Sequence, residues 1–145
     1  MNDPQQRFDE LLSVLKDEGF RMTPQRLEVI RILATSDGHP SALQIYEDIK
    51  NKFPTMSQAT VYNTIALLKE MHQILEIDLH GDSHYDGNRP EEHAHLICIG
   101  CNKILDADFE FDDEEIKGVE TSSGYQVVRS QVTFYGYCPD CKSVH

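Results

Sequence analysis

Residues 57–86 read SQATVYNTIALLKEMHQILEIDLHGDSHYD, and within them the period of the apolar residues changes. In the first half Val61, Ile65 and Leu68 recur at i, i+4 and i+7, the spacing that places side chains on one face of a helix, and Ser57 stands where an N-cap belongs. In the second half ILEIDL (74–79) alternates, GDS can turn and HYD (84–86) can return as the partner strand, which predicts a hairpin.

Three further helices are expected upstream. The first covers about residues 4–18, with Phe8, Leu11, Leu12 and Leu15 at helical spacing and Gly19 as its stop. The second starts at Thr23-Pro24, an N-cap followed by proline at the first helical position, and carries Leu27, Ile30 and Leu33. The turn SDGHP ends it. Ser41 and Gln44 form a capping-box pair before a third helix with Leu43, Tyr46 and Ile49. Helices followed by a hairpin wing are the order of a winged helix-turn-helix. Downstream the sequence predicts strands at 93–99 and 103–109, an acidic helix near 112–120, and a long strand, YQVVRSQVTFYGY (125–137). The expected fold is therefore α+β: a winged-helix DNA-binding domain (1–83), a hinge (84–92) rich in turn formers and charges, and a small C-terminal α/β domain (93–145).

The second domain holds all four cysteines, as Cys98-x-x-Cys101 and Cys138-Pro139-Asp140-Cys141 with 36 residues between the pairs. Each CxxC makes a tight knuckle presenting two thiolates, and Gly100 and Pro139 suit such turns. Four thiolates around one structural Zn2+ is the leading reading; two disulfides or buried free thiols are the alternatives, disfavoured in a chain with no secretory segment. The N-terminus MNDPQQRFDE lacks an apolar core, and the longest aliphatic runs, IALL and LICI, are far too short to span a bilayer. A cytoplasmic protein with no membrane partner is expected.

The formal charge is −12, with 8 basic and 13 acidic residues through position 83 and 5 and 12 beyond it. Such a balance argues against indiscriminate phosphate binding, so contact with DNA has to rest on a particular face. On the helix after Ser57, Ala59, Asn63 and Ala66 point away from the apolar stripe, flanked by Thr60 and Tyr62. Small residues let a helix approach base edges, Asn63 can hydrogen-bond a base, and Arg21, Arg26, Lys50 and Lys52 are candidate phosphate partners. An amphipathic helix with a neutral exposed face is the plainer alternative.

Outside the cysteines, His93-Ala-His95 is the best metal nucleus, because i and i+2 on a strand project two imidazoles toward one point. Asp106, on the strand returning from the first knuckle, can oppose the pair, and Asp86 lies just before it. A nitrogen and oxygen donor set without sulfur suits Fe2+ or Mn2+, although zinc and copper also bind such ligands. His39 sits in SDGHP, where a bare surface turn gives no reason to prefer histidine; were it to join the others, one ion would tie the two domains together.

RMTPQRLEVIRIL, GHPSALQIYEDI, FPTMSQATVYNTIALLKE, the HYD wing, HAHLICIGCNKILD and YGYCPDC, in this order, resemble the ferric uptake regulator family of metal-dependent repressors. Within it the chain is most similar to the peroxide-sensing branch. That resemblance implies a regulatory ion, Fe2+ or Mn2+, held by His39, Asp86, His93, His95 and Asp106; iron sensors usually have glutamate at the last position and often arginine at that of Asn63. It implies a homodimer bound to a pseudo-palindromic double-stranded operator, a zinc-clipped dimerisation domain, and loss of repression when peroxide oxidises His39 or His93 at a bound ferrous ion. The alternatives are an iron-sensing repressor blind to peroxide, a small nonhaem iron enzyme, and a zinc-stabilised structural or metal-buffering protein. Five protein ligands leave little room for a substrate, so a non-enzymatic role is expected.

Overall fold

The computed structural model describes residues 3–89 and 93–144. The chain divides into two compact units, Met1–Pro90 and Glu91–His145. In the first, four helices, α1 (Pro4–Asp17), α2 (Pro24–Thr35), α3 (Ala42–Lys50) and α4 (Gln58–Glu70), precede an antiparallel hairpin of β1 (Leu75–Leu79) and β2 (Asp82–Asp86). Side-chain oxygens of Thr23 and Ser57 accept from the N–H groups of Arg26 and Thr60, and Ser41 and Gln44 complete the reciprocal capping box. The core is the set of apolar stripes meeting between these helices: Phe8, Leu11 and Leu15 from α1, Val29, Ile30 and Leu33 from α2, Ile45 and Ile49 from α3, and Val61, Ile65 and Leu68 from α4.

Two details of this unit differ from the sequence expectation. Leu43 is 50% exposed, and α3 instead buries Ala42, Ile45 and Ile49, which share the i, i+3, i+7 row. Residues 84–86, placed in the expected hinge as well as in the returning strand, are paired in β2, where Asp86 opposes Leu75. Pro90, Glu91 and Glu92 of that hinge lie outside the described residues.

The second unit is a three-stranded sheet in the order β4-β3-β5, made of β3 (Ala94–Cys98), β4 (Ile104–Ala107) and β5 (Thr133–Gly136), with α5 (Asp113–Ser123) and the short α6 (Pro139–Lys142). β3 pairs antiparallel with β4 and parallel with β5. Asp112 caps α5, and Gly124 closes it in the left-handed conformation, φ +77°. The strand expected over 125–137 is confined to four residues. β3 offers a partner only from His95 to Cys98, and Tyr125 and Val128, further upstream, are exposed. Upstream of the paired residues the backbone bonds to side chains instead, the Tyr125 N–H to Ser123 Oγ and the Val127 N–H to Glu120 Oε2.

Candidate metal centres and recognition helix

The four cysteines come together. Each offers a sulfur, and the four sulfurs lie within 4.8 Å of one another; Cys101 Sγ and Cys138 Sγ are 3.9 Å apart. Zinc–sulfur bonds of about 2.3 Å in a tetrahedron put sulfurs about 3.8 Å apart, so the cluster fits Zn2+. The sheet explains the meeting: Cys98 ends β3 opposite Gly136, two residues before Cys138, whose N–H donates to Cys98 Sγ at 3.3 Å. That donor, with others from Cys101 and Gly100, lowers the Cys98 thiol to about 6, whereas hydrogen bonding to Cys138 and the other sulfurs drives Cys141 up to about 12. Protons shared among crowded thiols resist removal until a cation compensates the charge, which is what a divalent ion supplies. No disulfide links the four.

In the second unit the His93 and His95 rings lie with centroids 4.4 Å apart and planes tilted by 52°. His93 Nε2 lies 3.0 Å and His95 Nε2 3.6 Å from Asp106 Oδ1. The register accounts for this, since His95 on β3 is directly opposite Asp106 on β4. Ligand atoms about 2.0–2.2 Å from one ion sit about 3 Å apart, so Asp106 stands near ligand spacing from each imidazole.

In the first unit His39 Nε2 lies 3.5 Å from Asp86 Oδ2, and both residues are buried. His39 has φ +52°, a left-handed conformation in which histidine is enriched over most residues with a Cβ. The wing holds this turn. His84 Nδ1–H donates to the His39 carbonyl at 2.7 Å, the Tyr85 N–H donates to the Pro40 carbonyl, and Ser41 bridges to His84. His84, on the returning strand of the wing, is thus part of the support of His39.

Along α4, Ala59, Tyr62 and Asn63 are exposed, as is Arg21 before α2, while Thr60 is half-buried with its hydroxyl 3.0 Å from Ser57 Oγ. Two of the candidate phosphate partners have other engagements. Arg26 Nη1 donates to the Arg21 carbonyl at 2.7 Å, and Lys52 Nζ lies 3.0 Å from Glu28 Oε1. Thr64 is buried in the same helix, its hydroxyl donating to the Thr60 carbonyl at 2.8 Å. Among the described residues, no helix is long and apolar enough to cross a membrane.

The sequence pattern of the ferric uptake regulator family matches residues 17–135. The chain belongs to this family. It is 35% identical over 137 residues to the peroxide-responsive repressor PerR of Staphylococcus epidermidis, covering 93% of this chain and 90% of that relative. It is also 35% identical over 138 residues to the ferric uptake regulation protein of Synechococcus elongatus, covering 91% and 92%. A solved structure of PerR from Streptococcus pyogenes, described in terms of peroxide sensing and gene regulation, is 34% identical, with a TM-score of 0.53 and coverage of 93% and 92%. Equal identity to relatives named for peroxide and for iron leaves the distinction between these two branches of the ferric uptake regulator family to individual residues. The family match stops before Cys138 and Cys141, so the second knuckle is tied to the first by the sheet geometry described above.

Proposed function

We propose that the protein is a metal-dependent transcriptional repressor that binds a pseudo-palindromic operator as a homodimer and releases it when peroxide oxidises a metal-ligating histidine. The first unit carries the recognition helix and wing, the second dimerises around a structural Zn2+ on Cys98, Cys101, Cys138 and Cys141, and the stretch between them acts as the hinge. The names of the relatives support the repressor reading. The observation that carries the metal switch is the pair of half-sites, His39 with Asp86 and His93, His95 with Asp106, each built from nitrogen and oxygen donors and neither numerous enough to complete a coordination shell alone. One Fe2+ or Mn2+ shared by the five residues would set the orientation of the recognition helices, which a palindrome needs about 34–36 Å apart. Driving the competent fraction from about 1% to about 99% takes about 5.5 kcal/mol of preference for the closed form.

A ferrous ion bound there supplies the one-electron chemistry that makes an oxidant of peroxide beside its ligands. One peroxide oxygen is added to a ring carbon of His39 or His93 and the other leaves as water. The altered imidazole is a poorer donor, so the clamp loosens. Asp106, where iron sensors of the family usually have glutamate, favours peroxide sensing over iron sensing alone. Footprinting of the Fe2+ and Mn2+ forms with and without peroxide, paired with mass spectrometry of the His39 and His93 peptides, tests this. The expected result is operator release and one added oxygen atom in the Fe2+ form only. Release without a modified histidine, or none, favours the iron-sensing reading. His39→Ala is expected to keep zinc and lose metal-activated operator binding.

A further inference from the structure

Asp86 is aimed by the backbone that follows it. Its Oδ1 accepts from the N–H groups of Asn88 and Arg89, each at 3.1 Å, which leaves Oδ2 on the side of His39. The direction of the carboxylate therefore depends on the course of the chain from 86 to 89. Three contacts fix that course. Gly87 lies so close to α2 that an added Cβ would be 2.6 Å from the Leu33 carbonyl oxygen. Asn88 Nδ2 donates to the Ala34 carbonyl at 2.9 Å. From α1, Arg7 Nε donates to the Gly87 carbonyl at 2.7 Å.

The same guanidinium reaches further. Arg7 Nη2 donates to the Gln73 carbonyl at 2.5 Å, and Nη1 pairs with Glu10 Oε2 at 3.1 Å. Gln73 precedes β1 and Gly87 follows β2, so one side chain holds both ends of the hairpin. Arg7 is 3% exposed and lies beside Phe8 and Leu11 on the buried face of α1, where leucine or methionine would pack without the cost of removing a cation from water. What arginine offers in exchange is a planar fork that holds two acceptors in a fixed relation.

We propose that Arg7, together with Asn88, is a positioning residue for the regulatory metal: by fixing the 87–89 backbone it aims Asp86 at the ion and ties that ligand to α1 and to the base of the wing. The inference rests on the reading of Asp86 as a regulatory ligand. Groups that orient metal ligands typically alter affinity by about 10–100-fold when replaced.

The test uses the zinc-loaded protein and its Arg7→Lys, Asn88→Ala and Asp86→Ala variants, with Mn2+ affinity read by electron paramagnetic resonance and the regulatory site by its Co2+ absorption bands. All measurements are made well below the melting point of each metal-free variant. Arg7→Lys, whose ammonium cannot reproduce the fork, is expected to bind Mn2+ about 10–100-fold more weakly with shifted Co2+ bands and full zinc content. Asn88→Ala gives a smaller loss in the same direction. A purely structural Arg7 would lower the metal-free melting temperature while leaving Mn2+ affinity and Co2+ bands as in the wild type, and that outcome overturns the proposal. Should Arg7→Lys not fold, unchanged Mn2+ binding in Asn88→Ala overturns it equally. Wild-type affinity in Asp86→Ala would remove the regulatory-site reading itself, and this inference with it; loss there beside wild-type affinity in the other two removes the positioning role alone.

Discussion

Gly100 shows how a single residue can belong to a metal centre without binding the metal. A Cβ added at this position would meet Cys141 Sγ at 3.0 Å and Cys141 Cβ at 3.1 Å, so the limit is space inside the cluster. Gly100→Ala is expected to push the second knuckle away from the first, and the variant should surrender zinc to a chelator faster than the wild type; an equal rate would mean that the knuckles have slack. The clustering of the candidate ligands was legible in the sequence, because two CxxC pairs and an HxH pair have spacings that state their geometry. Arg7 and Gly87 were not. An arginine beside Phe8 reads as the rim of an amphipathic helix, and a glycine in YDGN reads as an ordinary turn. Their importance comes from contacts across 80 residues, Arg7 to Gly87, and 54 residues, Gly87 to Leu33, which no local pattern encodes.

At the scale of elements, the caps and the change of period located α1 to α4 and the hairpin, since each signal is local and arises from backbone groups that must be satisfied at helix ends. The sequence misled where an element depends on its neighbours. The orientation of α3 was set by Ala42 and Ile45 meeting the core, and the length of β5 by how much of β3 was available to pair. The wing has its own electrostatic tie to α4. Lys69 and then Ser83 hydrogen-bond Glu76 and hold its carboxyl below the usual carboxylate range, and Glu76 correspondingly raises Lys69. A carboxyl depressed by folding contributes stability above its unfolded value of about 4.3, and the contribution is lost as pH falls through the folded value. Glu76→Gln should therefore lower stability at neutral pH by a modest amount, given the partial exposure of the pair, and leave little difference from the wild type below the depressed value. Denaturant melts at a series of pH values check this; a constant gap down to the lowest pH would assign the effect to packing.

For the molecule as a whole, the sheet of the second unit leaves an apolar row uncovered. Leu96 is directly opposite Leu105 on one side and Phe134 on the other, and all three side chains are exposed. Contiguous exposed apolar surface is where interfaces form, and in the homodimer proposed above the contact between the two copies is expected on this row. Phe134→Glu is expected to shift the protein toward monomer in sedimentation experiments at micromolar concentration while leaving zinc content intact. A dimer of wild-type strength would place the interface elsewhere. The composition, with 25 acidic against 13 basic residues, told against broad DNA affinity. The structure sharpens this point, since Arg26 and Lys52 already have partners within the first unit.

The parallel pairing of β3 with β5 also has a consequence for biosynthesis. Cys101, the later residue of the first knuckle, is synthesised 37 residues ahead of Cys138. At about 5–20 residues per second the first knuckle waits about 2–7 s for its counterpart. During that interval two thiols stand open to any oxidant or competing metal in the cell. A chain translated under oxidising conditions is thus most vulnerable before its second knuckle exists.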